Sequence, residues 1–283
     1  MHRRLPRSLF RALVACVPVM GLVVAVGPAA GASTAGAHPA AAARAAAVAR
    51  AELRRLVIGQ HATNHRVPGH ENLSQDQSTN WSGYADVDET YTAVTGNWTE
   101  PSVSCTSQES LAAFWVGIDG FSSSSVEQDG TLVECYRSAA YYYTWWEMYP
   151  TNDIQVVGES LKAGDSISAS VVKSGSSYTL KVTDSTHSAN SFTTTQTCSS
   201  CADSSAEWIA EAPSGSSGVY PLSDFHSWTE TGATVTSGST HGVISTFPDV
   251  EITMVDSSGN VKAQPGPLNS SGNGFTVTWE RST

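Results

Sequence analysis

Residues 78–283 hold only six lysines and arginines against 23 aspartates and glutamates, a net charge of −17. So acidic a stretch does not bind nucleic acid by charge, because it has little with which to neutralise phosphates. It has no amphipathic helix of useful length and no internal repeat. The motifs of common hydrolases are missing: there is no GxSxG and no HExxH, and the only histidines are His187, His226 and His241. Three scattered histidines make a poor zinc site, so neither metal nor cofactor is expected. A Ser-His-Asp arrangement stays open, since serines abound, but nothing in the sequence marks one serine as a nucleophile. After residue 32 no apolar run reaches the length of a membrane span.

The first 77 residues have the opposite charge, with 9 Lys and Arg against 3 Asp and Glu, a net of +6. Arg3, Arg4, Arg7 and Arg11 precede an apolar run over residues 12–26, which ends before Pro28 and the small residues Ala30, Gly31 and Ala32. That pattern predicts a signal peptide over residues 1–32 and a secreted, extracellular protein. Residues 40–57 are rich in alanine and carry Arg44, Arg50, Arg54 and Arg55, a helix-forming composition. A polar, linker-like stretch follows. Residues 33–77 therefore read as a propeptide that docks on the acidic domain by charge and releases as carboxylates protonate. Failure of the isolated segment to inhibit the mature domain at neutral pH would sink that expectation.

From residue 78 the texture changes to period two. Val94, Gly96 and Trp98 alternate with polar neighbours, as do Ile167, Ala169 and Val171, then Tyr178, Leu180 and Val182. Residues 173–177 form a hairpin turn between the last two runs. Val250, Ile252 and Met254 repeat the pattern, and Phe275, Val277 and Trp279 close it. Short alternating strands over about 205 residues predict one all-β sandwich domain, residues 78–283.

Five cysteines become four once Cys16 leaves with the signal peptide, and four allow three connectivities. The expected pairs are Cys105 with Cys135 and Cys198 with Cys201. The CxxC could also be a redox pair or half a zinc knuckle, but no second CxxC or suitable histidine pair accompanies it.

What remains is a set of polar residues embedded in aromatic strands. The stretch FWVGIDGFSSSSVEQDG, residues 114–130, begins as a strand, turns at Asp119-Gly120 and returns to Gln128. Trp115 and Asp119 lie on its first limb and Gln128 on its second. YYYTWWEMYP, residues 141–150, places Glu147 beside two tryptophans, and SAEWIAE, residues 205–211, places Glu207 before Trp208. Glu207, Ile209 and Glu211 share one strand face, so Glu207 points away from the core if Trp208 points into it. A carboxyl among aromatic walls has a raised pKa and can move protons. A primary amide such as Gln128 can donate to a developing oxyanion. Together they suffice for attack of water on a carbonyl.

These residues carry a resemblance. NWSGYA (80–85), GNWTEPSV (96–103), WVGIDG (115–120), the downstream Gln128, WWEMYP (145–150) and AEWIAE (206–211) are similar to the glutamic peptidases of the eqolisin (G1) family. The resemblance covers essentially all of residues 78–283. It implies a concanavalin A-like double β-sandwich of two antiparallel seven-stranded sheets, made with a propeptide and acting as a secreted acid endopeptidase. It implies Gln128 and Glu207 as the catalytic dyad, with Glu207 the general base that later protonates the leaving amine and Gln128 the oxyanion donor. Trp115, Asp119 and Glu147 match positions lining the cleft or supporting the dyad. Glu127 departs from the pattern, standing where an apolar residue is expected, and its negative charge would push the dyad's pKa upward. Met148 departs too and bears on subsite preference. The partners implied are polypeptide substrates and the chain's own propeptide, with no nucleic acid or membrane, and a monomer is expected. The competing reading is a glycoside hydrolase or carbohydrate-binding module on a similar sandwich, with Glu147 and Glu207 as a carboxylate pair.

Overall fold

The computed structural model describes residues 75–283. The expected signal peptide and all but the last three residues of the expected propeptide lie outside the described residues. In chain order the strands are β1 (Gln75–Ser78), β2 (Trp81–Val87), β3 (Tyr91–Thr99) and β4 (Ser110–Ile118), then β5 (Val126–Tyr136), β6 (Ala139–Tyr149) and β7 (Asn152–Gly158). Next come β8 (Ser166–Ser174), β9 (Ser177–Asp184), β10 (Phe192–Thr197) and β11 (Ser205–Glu211), with a two-residue pair, β12 (Ser214–Gly215) and β13 (Gly218–Val219). The chain closes with β14 (Ser227–Ser237), β15 (Thr240–Gly242), β16 (Asp249–Val255), β17 (Val261–Pro265) and β18 (Phe275–Trp279). Among the described residues the helical pieces are two three-residue 3-10 turns, Ser188–Asn190 and Ile244–Thr246.

The strands form two layers. One runs β7-β6-β5-β4-β11-β2-β16-β17-β18, and the other runs β10-β9-β8-β3. They are joined by β14, whose residues Ser227–Glu230 pair with β18 while Thr231–Ser237 pair with β3. The switch falls at a bulge between Thr231 and Thr234, where Gly232 takes φ +62°. A bulge with a left-handed glycine bends a strand sharply, so one strand can serve both layers. Strand pairing is antiparallel except for β1, which pairs parallel with β16 through Gln75 to Ser78. The result is a double-sandwich-like all-β domain whose layers share a strand.

Strand alternation explains where the core sits. Residues of β3, β8 and β9 pack over β4, β5 and β11. Phe114, Val116 and Ile118 of β4, Trp208 of β11 and the alternating Ile167, Ala169, Val171, Tyr178, Leu180 and Val182 fill the space between the layers. Successive side chains of β4 point to opposite faces, so Ala113 and Trp115 lie on the outer face of the large layer. There they join Trp81, Leu132, Trp145, Ile209 and Ile252 in a second apolar cluster. That is why β4 shows no clean polar alternation: both of its faces are covered. Cys105 is bonded to Cys135 and Cys198 to Cys201.

Candidate active site

The outer face of the large layer carries one row of side chains that no packing argument requires. Register places Glu207 of β11 opposite Gly117 of β4, Gly117 opposite Gln128 of β5, and Gln128 opposite Glu147 of β6. Directly opposed residues share a face, so Glu207, Gln128 and Glu147 all project from one rung across four strands. Glu207 and Gln128 are two strands apart, roughly 10 Å between Cα atoms. The residue between them has no side chain.

Gly117 is required there by space. A Cβ on it would sit 2.8 Å from a Trp115 ring carbon and 3.3 Å from the Gln128 Cβ. The Trp115 ring therefore leans along the gap, one step down the same face. Its Nε1 donates to Glu211 Oε2 at 2.9 Å, and the Trp81 ring meets it edge-on with centroids 5.0 Å apart. Asn80 Nδ2 donates to the other Glu211 oxygen at 3.2 Å. Asn80 is fully buried in this role. Gly117→Ala is expected to push the Trp115 ring off the gap and lower kcat/KM about 10- to 100-fold, as small misplacements near chemistry do. Steady-state hydrolysis with unchanged far-UV dichroism checks it, and wild-type rates would contradict it.

Gln128 Nε2 donates to Glu147 Oε2 at 2.9 Å, which fixes the direction in which the amide points. Glu147 thus acts on Gln128 rather than as a free acid. Glu207 is different. It is completely buried, and among the described residues neither of its oxygens has a hydrogen-bond partner. Asp86, Glu127 and Asp129 are in the same condition, and of these four carboxyls only Glu207 shares a rung with Gln128. Burial pushes the Glu207 pKa well above the usual carboxylate range. The nearby Ser205 hydroxyl offsets this in part, and Asp119, Glu127 and Asp86 add to it wherever they are ionised.

Of the sequence-predicted residues, Glu207, Gln128 and Glu147 therefore share one rung, and Trp115 flanks it. Asp119 lies elsewhere. It follows β4 with φ +73°, and its carboxylate accepts from the amides of Ala202, Asp203 and Ser204 and from the Ser204 and Ser125 hydroxyls at 2.8–3.3 Å. It anchors the loop that leads into β11, and through that loop and its charge it acts on Glu207. Sequence reasoning passed over Gly117, although its period-two spacing from Trp115 within WVGIDG places it on the same strand face as Trp115.

Two other constellations come together. Ser104 Oγ lies 3.1 Å from His226 Nε2, whose Nδ1 is 3.2 Å from Asp224 Oδ1. Ser104 and His226 are both exposed, with no buried wall against which a substrate could be seated. Asp165, Asp184 and His187 each bring one ligand-type atom within 4.8 Å of the others. Their polar atoms are already engaged: Asp165 with His187 and the Lys162 amide, and Asp184 with Asn190 and the amides of Thr186 and His187. That cluster is a hydrogen-bonded loop support.

Comparison with known proteins places these observations in a family. The profile of the Peptidase A4 family matches residues 79–279. Aspergillopepsin-2 of Aspergillus niger is 29% identical over 231 residues, covering 73% of this chain and 79% of that protein. The crystal structure of aspergilloglutamic peptidase from Aspergillus niger superposes with a TM-score of 0.53 at 29% identity, over 60% of this chain and 99% of that one. Scytalido-glutamic peptidase, solved with a transition state analog inhibitor, gives a TM-score of 0.61 at 22% identity, over 71% of this chain and 98% of that one. At that identity the likeness is one of fold.

Proposed function

We propose, for a chain that belongs to the Peptidase A4 family, that the rung Glu207–Gly117–Gln128–Glu147 is the peptide-bond-cleaving site of a glutamic endopeptidase of the eqolisin type. The observation that carries the assignment is the rung itself, which sets the fully buried Glu207 across Gly117 from an amide oriented by a second carboxyl. A glycoside hydrolase using Glu147 and Glu207 as its pair finds no support, because Glu147 is committed to Gln128.

The chemistry follows from the two groups. Hydrolysis must remove a proton from the attacking water and deliver one to the leaving nitrogen, and one carboxyl can do both in turn. Ionised Glu207 takes the water proton as the oxygen attacks the scissile carbonyl, and the resulting acid then protonates the amine. Burial favours the proton-holding form, which is the form present while the tetrahedral intermediate exists. Water and substrate amides supply hydrogen bonds to the unpartnered oxygens, lowering the pKa of Glu207 in the complex and allowing it to ionise. Gln128 donates to the oxyanion, and Glu147 holds its amide so that no reorganisation is needed when charge develops. Trp115 walls the cleft along the substrate chain.

Export by residues 1–32 and inhibition by residues 33–77 belong to the same proposal. Its test is Gln128→Ala, which removes the oxyanion donor. We expect kcat to fall about 100- to 1000-fold with KM little changed. A variant that keeps its fold and its wild-type kcat would discard the role assigned to Gln128.

A further inference from the structure

Behind the catalytic face, three carboxyls meet at the base of the strands that carry it. Glu127, Asp119 and Asp203 each bring an oxygen within 4.8 Å of the others, and all three are buried. Glu127 immediately precedes Gln128 but projects to the opposite face, toward the space between the layers. Asp203 lies two residues before β11 and is engaged by Lys173 of β8 and by the Tyr178 hydroxyl of β9, the latter at 2.6 Å. Asp119 accepts the five donors described above. Glu127 receives no donor from any described residue. Its close polar neighbour is the Asp119 carboxylate, itself an acceptor, so contact between them requires a proton. With Asp119 occupied by donors, that proton belongs to Glu127.

We propose that Glu127 is a positioning residue of the peptidase site: its neutral carboxyl donates to Asp119 and so clamps the ends of the three strands that bear Glu207, Gly117 and Gln128. Loss of its proton leaves three carboxylates around the lone Lys173. The 202–204 amides then part from Asp119, and β11 loses its register with β4. The titratable groups around Glu127 are Asp119, Asp203, Lys173 and Tyr178, with Glu207 close enough across the sheet to feel its charge and the Cys198–Cys201 disulfide closing one side. Met148, its partner on β6, is apolar. Burial, then the Asp119 and Asp203 charges, push the Glu127 carboxyl up to about 10, with Lys173 pulling back. The clamp is therefore closed at acid pH and opens as the solution becomes alkaline. On this inference, which rests on the proposed function, Glu207 sets the acid limb of activity and Glu127 contributes to the alkaline limb, beside Glu100 and Asp86, which burial carries to about 8 and about 9.

The test compares acid-processed full-length protein carrying Glu127→Gln and Glu127→Leu with wild type. Glutamine keeps a neutral donor toward Asp119, so activity at acid pH should stay within about twofold of wild type. Its alkaline limb should move to higher pH, with the acid limb unmoved. Leucine is neutral but cannot donate, and should lower kcat at every pH about tenfold. An unmoved alkaline limb in Glu127→Gln, or a wild-type kcat in Glu127→Leu, overturns the proposal. Hydrogen exchange on the wild-type protein gives a readout independent of whether either variant folds and of peptidase activity. Protection of the Ala202, Asp203 and Ser204 amides should vanish at lower pH than protection within the β8–β9 hairpin. Persistence of that protection until the hairpin itself opens would also overturn the clamp.

Discussion

Replacing Glu207 by glutamine is expected to lower kcat/KM about a thousandfold while making the protein more stable at neutral pH. The loss follows from removing the proposed proton carrier, a term worth about 100- to 10,000-fold in enzymes that use one. The gain follows from linkage. Burial raises the pKa of Glu207, so in the folded protein the group holds its proton at pH values where the unfolded chain gives it up. Such a group stabilises the fold fully below its unfolded pKa and progressively less as pH rises toward its folded pKa. Glutamine carries no such penalty. Thermal unfolding at pH 3 should therefore be unchanged by the substitution, and at pH 6–7 the midpoint should rise. A residue serving stability alone would give the opposite pattern, a less stable protein that still cleaves.

The same argument, applied to the whole domain, gives the second large effect. Buried carboxyls lie throughout the sandwich. Burial carries Glu100 to about 8 and Asp86 to about 9, and pushes Asp129 and Glu230 well above the usual range. With Glu127 these groups are protonated in the folded domain in mild acid. Each then costs about 1.4 kcal/mol of stability for every pH unit above its unfolded pKa of roughly 4. A domain has only about 5–15 kcal/mol to lose, so a few such groups exhaust it within a few pH units. The unfolding midpoint should be highest near pH 3–4 and lower by roughly 15 °C or more at pH 7.5. A flat profile across that interval would show that these carboxyls relax to solvent without cost. The acidic composition thus acquires a physical meaning that net charge alone does not supply: the fold, as well as the chemistry, is built for low pH.

Much of this architecture was legible in the sequence because strands write their faces at period two. The alternations at Ile167–Val171 and Tyr178–Val182 appear as β8 and β9, with Gly175 at φ +61° in the turn between them. The face opposition of Trp208 and Glu207 was readable for the same reason. Register across strands was not. Nothing in one strand's sequence says which residue of another lies opposite it, so the alignment of Glu207, Gly117, Gln128 and Glu147 emerges only from the assembled sheet. Asp119 shows a second limit. Its turn position was evident from Asp119-Gly120, but four of the five donors to its carboxylate lie more than 80 residues away, at Ala202 to Ser204. The corner at β14 was hidden too, because a bulge is one extra residue in an otherwise regular strand.

Glu211 shares a strand face with Glu207 and is equally buried, so it is the carboxyl most easily mistaken for the proton carrier. Its oxygens accept from Trp115 and Asn80, whereas those of Glu207 have no partner among the described residues. The most direct test is hydrolysis of a denatured protein at acid pH by acid-processed wild type, Glu207→Gln and Glu211→Gln, each verified as folded. The structure predicts activity in wild type, at least about a tenth of it in Glu211→Gln, and essentially none in Glu207→Gln. An active Glu207→Gln beside a dead Glu211→Gln would move the reaction four residues, two repeats of the pleat, along β11 and contradict the account.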